Sequence, residues 1–338
     1  MGVIGCGYWG PNLARNIAEC SGAQLVAIAD ERQERLEAIA SRHRDARLTR
    51  SADDVIGDAS IEAVAVATPV STHFDLARAA LRAGKHVLVT KPMAATLAEA
   101  TALVDEANAA GRVLLVDHTF VYTGAVRRMK RLIEEGVLGP LYYLDSVRVN
   151  LGLFQHDVNV VWDLAAHDIS IFGHLLDTPP LRVTASGSSH SPSGLEDVAY
   201  VHLEYAEDLI AHIHVNWLSP VKIRQTLVGG SQRMVVWNDL AADEKLRIYD
   251  RGIEAPATEA ERHRQIVAYR TGDAWIPTLE RHEALALEIA HFVDCIRNGT
   301  EPQTGGAAGC EVVRVLEAAS ASLRDGGQPV DLTTEAVT

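Results

Sequence analysis

Two hydrophobic patterns alternate along the first third of the chain. Short runs of apolar and β-branched residues are separated by stretches in which apolar residues recur every three or four positions. The runs are typical of strands buried on both faces, and the stretches are typical of the helices that cover them. We therefore predict an α/β fold with a doubly wound parallel sheet, a Rossmann domain, over residues 1–118. The predicted strands are 2–4, 24–29, 62–67, 86–89 and 112–117.

After residue 118 the pattern changes to a series of strands. An amphipathic helix with a basic, solvated face is predicted over 122–135, and seven strands with few helices between them follow. Such a series predicts an open, mainly antiparallel sheet with helices on one face, so residues 119–338 form a second, α+β domain. We expect its uncovered face to be the contact surface of a homodimer or homotetramer. The predicted strands are 141–150, 181–188, 197–205, 209–216, 223–228, 234–238 and 246–249, followed by a polar arm over 251–280 and helices over 283–297 and 309–323.

The first strand leads into a glycine-rich turn, Gly5-Cys-Gly-Tyr-Trp-Gly10, that opens a helix. Gly5 permits the tight turn, Gly7 lets the backbone approach a pyrophosphate, and Gly10 lets the helix pack closely on the strand. The second strand ends in Asp30, about twenty residues further on, where an acid accepts the ribose 2′-hydroxyl of a dinucleotide. Alternatively, Asp30 is the N-cap of the next helix. Because strand, glycines, helix, second strand and acid occur in register, we favour a dinucleotide site.

The surrounding residues indicate which dinucleotide binds. An anionic Asp30 would repel a 2′-phosphate, so NAD is the predicted cofactor, while the neighbouring Arg32 keeps NADP possible. Tyr8 and Trp9 lie inside the glycine turn and are assigned to the cofactor site with it. Thr68-Pro69 follows another strand, so its backbone is predicted to contact the nicotinamide-ribose side of the cofactor.

A lysine follows the fourth predicted strand of this sheet. In Gly84-Lys-His-Val-Leu-Val-Thr-Lys91-Pro92, a short buried strand delivers Lys91 to its carboxyl end, where parallel sheets place their binding sites. Pro92 restricts Lys91 to extended geometry, and their peptide bond could be cis. A solvated lysine at a strand end is the alternative. His73, which precedes the helix before this strand, is either a capping or supporting residue or part of the cofactor site.

An acid and a histidine share one face of a predicted helix in the second domain. Apolar residues recur at helical spacing over 160–176, and Asp163 and His167 are four apart, so they lie one turn apart on the same face. Such a face presents a carboxylate and an imidazole to a small polyol. The alternatives are a helix cap for Asp163 and a satisfied interior histidine for His167. Asp168 points off this face and His174 lies seven residues further on, so both are predicted to be structural.

Composition excludes several classes of partner. A net charge of −14 repels nucleic acid and anionic membranes. No run of eighteen apolar residues and no basic, apolar leader occur, so neither a membrane span nor a secretory signal is predicted. The four cysteines have neither C-x-x-C nor Cys/His spacing, which predicts reduced thiols in the cytoplasm and no metal site. Because the first strand begins at the second residue, we expect a few native residues to be missing upstream.

These motifs resemble one family over nearly the whole chain: the glucose-fructose oxidoreductase, inositol dehydrogenase and rhizopine catabolism (Gfo/Idh/MocA) oxidoreductases. Within it the chain looks most like bacterial 3-dehydrogenases of nucleotide-linked or amino sugars. The stretches that carry the resemblance are Gly5–Asn12, Thr68–His73, Lys91-Pro92, His118–Tyr122, Arg148-Val-Asn150, Trp162–Asp168, Tyr269–Pro277 and Phe292–Pro302.

The resemblance implies specific roles. It makes Lys91 the catalytic lysine and Asp163 and His167 its partners, and it assigns His118, Tyr122 and Asn150 to the substrate site. The implied reaction is oxidation of a secondary hydroxyl of a sugar to a ketone, with hydride transfer to NAD, ahead of transamination. That chemistry would suit aminoglycoside antibiotic or cell-surface sugar biosynthesis.

Three positions depart from the family pattern. Thr90 stands where the family usually has Glu, Asp117 where Gly is common, and Val121 where Arg is frequent. The absence of an Arg at position 121 disfavours an anionic substrate group there and favours a neutral or a cationic amino sugar. The alternatives are an NADPH-dependent ketosugar reductase and, in another class, a non-catalytic dinucleotide-binding redox sensor. A sensor needs neither the lysine nor the acid-histidine pair, and a methyltransferase would not need the second domain.

Overall fold

The computed structural model describes residues 1–152, 158–254 and 268–333. They fold into two compact units. The first contains Met1–Thr123 and His282–Glu317, and the second contains Gly124–Arg281 and Ala318–Thr338. This division differs from the single boundary expected after residue 118, because the segment His282–Glu317 returns to the first unit. The return depends on contacts distant in sequence, which periodicity does not reveal.

The first unit contains the predicted parallel sheet. Its six strands lie in the order β3-β2-β1-β4-β5-β6, all parallel, so the order reverses between β1 and β4. Open sheets of this kind bind ligands at the carboxyl ends of the strands near that switch point. The predicted Rossmann fold is therefore confirmed. The strands are β1 Gly2–Ile4, β2 Ala27–Ala29, β3 Arg47–Thr49, β4 Ala63–Val66, β5 His86–Thr90 and β6 Leu114–Asp117.

Helices pack on both faces of this sheet. Helix α5 illustrates how local signals fix an element, because Thr96 accepts a hydrogen bond from the Glu99 backbone N–H at its start and Gly111 ends it in the left-handed region. The helices of this unit are α1 Gly10–Glu19, α2 Gln33–Ala40, α3 Ala52–Ile56, α4 His73–Arg82, α5 Leu97–Ala110, α8 Ala284–Asn298 and the first part of α9 Gly306–Arg324. Short 3₁₀ turns at Val70–Thr72 and Thr119–Tyr122 follow β4 and β6.

The segment that returns joins the core of the sheet. On α8, Leu285, Ile289 and Phe292 are buried in the cluster that also contains Leu88 of β5 and Leu115 of β6. These apolar residues recur at helical spacing, so burying them stabilises α8 on the sheet.

The second unit contains a nine-stranded sheet in the order β16-β13-β12-β11-β7-β10-β9-β8-β17. Its pairings are antiparallel except for β7 with β10, as the sequence predicts for a mainly antiparallel sheet. The strands are β7 Leu141–Leu151, β8 Arg182–Ser188, β9 Val198–Glu204, β10 Ile210–Asn216, β11 Leu218–Gly230, β12 Met234–Asn238, β13 Leu246–Tyr249, β16 Ala274–Trp275 and β17 Val330–Asp331. Two further strands, β14 Gly252–Glu254 and β15 Ala268–Arg270, pair within the predicted arm over 251–280. Residues 255–267 of that arm lie outside the described residues.

One face of this sheet is buried and the other carries exposed apolar side chains. Along β7, Leu144, Ser146 and Arg148 are buried at alternate positions. On other strands, Tyr200 and Ile210 are exposed. The helices of this unit are α6 Gly124–Glu134, α7 Ala166–Leu176, which follows a π-helical segment at Val161–Ala165, and the end of α9 from Ala318 onward.

Candidate active site

The glycine turn has the shape that a dinucleotide requires. Gly5 has a φ of +96°, and a Cβ added there would lie 2.5 Å from the carbonyl oxygen of Ala67. A Cβ at Gly10 would lie 2.0 Å from the carbonyl oxygen of Gly5, so α1 packs against the turn only if this residue is glycine. At Gly7, by contrast, the nearest atom to an added Cβ is 3.6 Å away, on Arg35. The turn therefore leaves room at the position where a pyrophosphate approaches the backbone.

Asp30 follows β2 directly and is buried beside this turn. Its Oδ2 accepts a hydrogen bond of 2.6 Å from the Cys6 backbone N–H, and its Oδ1 accepts one of 2.9 Å from the Arg32 backbone N–H. Asp30 does not cap α2, because that helix begins at Gln33 with Arg32 at the N-cap position. The alternative interpretation of Asp30 as a cap is therefore wrong.

The arginine that pairs with Asp30 is Arg35 and not Arg32. The Arg35 guanidinium lies 3.4 Å from Asp30 Oδ2, and it is also the group nearest to the space above Gly7. The sequence analysis pointed to Arg32 because it lies two residues after Asp30. Arg35 lies in the first turn of α2, which directs its side chain toward the acid.

His73 links the two loops that follow β4 and β5. Its Nδ1 lies 2.8 Å from the Pro92 carbonyl oxygen and its Nε2 lies 2.8 Å from the Thr68 carbonyl oxygen. Thr90 Oγ1 lies 3.3 Å from the same Nε2. The Lys91–Pro92 peptide bond is cis. The ring thus acts as the supporting residue that the sequence offered as one alternative, holding Lys91 and the Thr68-Pro69 loop together at the carboxyl edge of the sheet.

Beside Lys91 lies a histidine with an unusual environment. His118 is fully buried, and neither ring nitrogen has a hydrogen-bond partner within the described part of the chain. Burial, followed by the charge of Lys91, lowers the pKa of His118 to about 3. The imidazole is therefore neutral at physiological pH. A buried polar ring without partners next to a lysine marks a place where a ligand group can bind.

Tyr122 lies four residues after His118, at the end of the 3₁₀ turn that follows β6. Its hydroxyl lies 3.2 Å from Thr304 Oγ1, and its ring centroid is 5.8 Å from that of His291. Burial, followed by the nearby Glu288, raises the pKa of the phenol. The Tyr122 hydroxyl thus has a protein partner, Thr304, in the turn that precedes α9.

In the second unit, Asp163 and His167 occupy the predicted helical stretch. Asp163 lies in the π-helical segment and His167 in the first turn of α7. Single π-helical turns inside helices are frequent at functional sites. Asp163 Oδ2 accepts a hydrogen bond of 3.0 Å from the indole Nε1 of Trp217, which is buried between β10 and β11. Sequence reasoning missed Trp217, because nothing near it in sequence connects it to Asp163.

A buried ion pair fixes the register of α7 on β7. Arg148 Nε donates to Asp168 Oδ2 at 2.7 Å and its second nitrogen donates to Oδ1 at 3.0 Å, while the Ser146 hydroxyl donates to Oδ1 at 2.8 Å. Asp168 is thus structural. Asn150 lies two residues beyond Arg148 on β7, half-buried and on the same face. The pair therefore holds His167, which precedes Asp168, at a fixed position along the strand that carries Asn150.

Comparisons with known proteins identify the family. One family model, described as "Oxidoreductase family, NAD-binding Rossmann fold", matches residues 1–118, and a second, the "GFO/IDH/MocA C-terminal domain", matches residues 126–236. Inositol 2-dehydrogenase 1 of Saccharopolyspora erythraea is 32% identical over 304 residues, covering 84% of this chain and 87% of that protein. The chain belongs to the Gfo/Idh/MocA oxidoreductase family. It is therefore an NAD(P)-dependent oxidoreductase, as the sequence predicted.

A second relative is similar in both sequence and structure. UDP-N-acetylglucosamine 3-dehydrogenase of Acidithiobacillus ferrooxidans is 29% identical over 322 residues, which cover 92% of this chain and 93% of that protein. A solved structure of the enzyme superimposes with a TM-score of 0.79 at 26% identity, over 96% of this chain and 97% of the other. Both parts of the fold predicted from the sequence are thus found together in this Gfo/Idh/MocA enzyme.

Proposed function

We propose that the protein oxidises a secondary hydroxyl of a sugar to a ketone with NAD as hydride acceptor. Lys91 is the catalytic lysine, and Asp163 and His167 act in the same reaction. The observation that carries the proposal is the position of Lys91. It lies at the carboxyl edge of the parallel sheet, is held by the His73 contacts to its loop, and stands beside a neutral His118 whose ring nitrogens have no hydrogen-bond partner in the described part of the chain.

The reaction requires that one carbinol carbon lose a hydride and its oxygen lose a proton. Bound NAD(P) supplies the hydride acceptor. Lys91 or His167 accepts the proton, and Asp163, oriented by Trp217, positions the sugar or the imidazole. General-base catalysis of this kind contributes about 10²- to 10⁴-fold to the rate. His118 is uncharged near neutrality, because its pKa is about 3, so it does not act as a cationic acid. We assign its ring to orienting a ligand group.

The substrate we propose is a nucleotide-linked sugar or an amino sugar. The two relatives described above are named for oxidation at a ring hydroxyl, of inositol in one case and of a UDP-linked amino sugar in the other. The product would be a ketosugar, which is what an aminotransferase requires. A role before transamination in aminoglycoside antibiotic or cell-surface sugar biosynthesis follows from that chemistry.

Substitution of the lysine tests this assignment. We expect Lys91→Ala to reduce turnover at least about a hundredfold while the dissociation constant of NAD changes little, since the base is lost and the glycine turn is intact. Turnover is measured by NADH formation against nucleotide sugars, aminoglycosides and inositols, and NAD affinity by calorimetry. An unchanged turnover, or loss of NAD binding alone, would contradict the role of Lys91.

Arg35 supports a second candidate, an NADPH-dependent ketosugar reductase. Its guanidinium lies between Asp30 and the space above Gly7, where it could neutralise the acid or contact a 2′-phosphate. Asp30 itself favours NAD. Turnover with each cofactor separates the two candidates, and replacement of Arg35 by Ala distinguishes them further. Loss of NADPH-dependent activity in Arg35→Ala, with NAD inactive in both proteins, would favour the reductase.

We also propose that the protein assembles through the exposed face of the nine-stranded sheet. Tyr143, Tyr200, Ile210 and Ile223 are between 37% and 44% exposed on four of its strands, which is unusual for large apolar side chains on a monomer surface. Light scattering is expected to give a dimer or tetramer for the native chain and a smaller species for Tyr200→Glu. A monomeric native chain would contradict the assembly.

We place the enzyme in the cytoplasm. Cys6, Cys20, Cys295 and Cys310 are free thiols, which persist where glutathione and thioredoxin keep cysteines reduced. Among the residues that the structure describes, no helix has the length and apolar character needed to cross a bilayer. Fractionation of native cells tests this placement.

A further inference from the structure

A fully buried glutamate in the first unit has no role in the reaction proposed above. Glu288 lies on α8, and neither of its carboxyl oxygens has a hydrogen-bond partner among residues 1–152, 158–254 and 268–333. An ionised carboxylate would be very costly here, because the nearby His118 backbone N–H, which favours the charged form, does not outweigh the loss of water on burial. The group must therefore carry a proton, and that proton needs an acceptor.

The acceptor is Asp117, the last residue of β6. Asp117 Oδ1 accepts hydrogen bonds from the Thr119 backbone N–H and hydroxyl, and Oδ2 accepts one from the indole Nε1 of Trp9. A carboxylate oxygen has two lone pairs, so Oδ2 retains one position for another donor. Asp117 is the side chain that contacts the Glu288 carboxyl group, both as a hydrogen-bond partner once Glu288 carries its proton and as a neighbouring charge.

The groups around Glu288 favour its neutral form. Burial, followed by the charge of Asp117, raises the pKa of Glu288 well above its usual range. His118 next to Asp117 is neutral because its pKa is about 3, and Tyr122 is neutral because its pKa is raised. Cys295 on the same helix is also neutral, since burial raises the pKa of its thiol to about 11. None of these neighbours supplies a positive charge that would ionise Glu288.

We propose that Asp117 and Glu288 share one proton and that this acid pair holds Trp9, and with it the glycine turn, against the end of β6. Trp9 lies between Gly7 and Gly10 and occupies the N-cap position of α1. Its indole is therefore the point where the pair can fix the backbone N–H groups that face a pyrophosphate. Glu288 is a positioning residue for the cofactor. The inference rests on NAD(P) binding and is independent of the sugar substrate.

The proposal predicts a dependence on pH that a purely structural residue would not show. When Glu288 loses its proton at high pH, two adjacent carboxylates repel each other and Asp117 releases Trp9. Glu288→Gln keeps a donor of the same shape but has no proton to lose. We expect the native protein to bind NAD more weakly as the pH rises above neutrality, and the affinity of Glu288→Gln to stay constant over the same range.

Stability gives a second readout with a defined sign. Above pH 4.5, the usual Glu pKa, the unfolded chain releases a proton that the folded native protein keeps. The native protein therefore loses stability relative to Glu288→Gln as the pH rises, by about tenfold in the folding constant per pH unit. The difference stops growing once the pH exceeds the pKa of Glu288 in the folded protein, and it stays constant above that pH.

Calorimetric titration of NAD and unfolding midpoints from pH 5 to pH 10 test the inference on the full chain. Glu288→Ala, which removes the proton that Glu288 shares with Asp117, is expected to weaken NAD binding about tenfold, and Trp9→Phe is expected to make that loss smaller. Parallel pH profiles for the native protein and Glu288→Gln would overturn the shared proton. Native affinity in Glu288→Ala would overturn the positioning role. Neither readout uses a sugar, so failure here leaves the proposed reaction untouched.

Discussion

Replacement of Arg148 by methionine is expected to lower the free energy of unfolding by about 3–5 kcal/mol, because it removes one partner of a buried ion pair. Asp168 would then remain inside the second unit with Ser146 as its remaining donor among the three hydrogen bonds described. Methionine fills most of the volume of the lost side chain, so the cost arises mainly from the uncompensated carboxylate.

Thermal unfolding measures this cost. For a domain of this size, about 1 kcal/mol shifts the melting temperature by about 2–4 °C, so Arg148→Met should melt about 6–20 °C lower. Ser146→Ala removes a single neutral donor and should lose about 1 kcal/mol. Replacing Arg148 and Asp168 together by Met and Leu removes both charges, and most of the lost stability should return.

An exposed pair provides the matched control. Arg182 on β8 pairs with Glu204 on the neighbouring β9 at 3.2 Å and with Asp331 on β17 at 2.8 Å, but the three side chains are 44%, 38% and 62% exposed. Arg182→Met should leave the melting temperature almost unchanged, because solvent screens both ion pairs. If Arg148→Met were no more destabilising than Arg182→Met, the argument that the buried pair fixes α7 on β7 would be refuted.

Two further substitutions test single contacts. Trp217→Phe removes the donor to Asp163, so turnover should fall about tenfold, and the smaller ring leaves a cavity that lowers the melting temperature. Equal turnover in the folded variant would show that the indole does not position the acid. Gly10→Ala should abolish NAD binding, since its Cβ would lie 2.0 Å from the Gly5 carbonyl oxygen. Gly173→Ala in α7 is the control: its Cβ meets nothing within 4 Å, so it should stabilise the helix slightly. Calorimetry and thermal unfolding decide between these outcomes, and NAD binding by Gly10→Ala would contradict the described turn.

Elements with strong local signals were predictable from the sequence. Helix α5, Leu97–Ala110, is an example, because a threonine cap, regular apolar spacing and a terminal glycine agree. The glycine turn and Asp30 were found for the same reason, since each lies at a fixed offset from a strand. Strand β3, Arg47–Thr49, was missed, because three half-exposed residues carry no periodicity.

Contacts between residues distant in sequence were not predictable. The apolar face of α8 was recognised, but its place in the first unit depends on which sheet it covers. The roles of Trp217 toward Asp163 and of Glu288 toward Asp117 depend on pairings that the sequence does not indicate. Arg32 was assigned to the cofactor site because it lies next to the acid in sequence, and Arg35 was missed because its contact with Asp30 depends on the turn of α2.

The most direct test of the proposed reaction follows a single hydrogen atom. A sugar substrate found by screening is deuterated at the reacting carbinol carbon, and the reduced cofactor is analysed by mass spectrometry. Hydride transfer predicts NADH that carries one deuterium, formed by the native protein and lost in Lys91→Ala. Oxidised sugar accompanied by undeuterated NADH, or full activity of Lys91→Ala, would contradict the proposal.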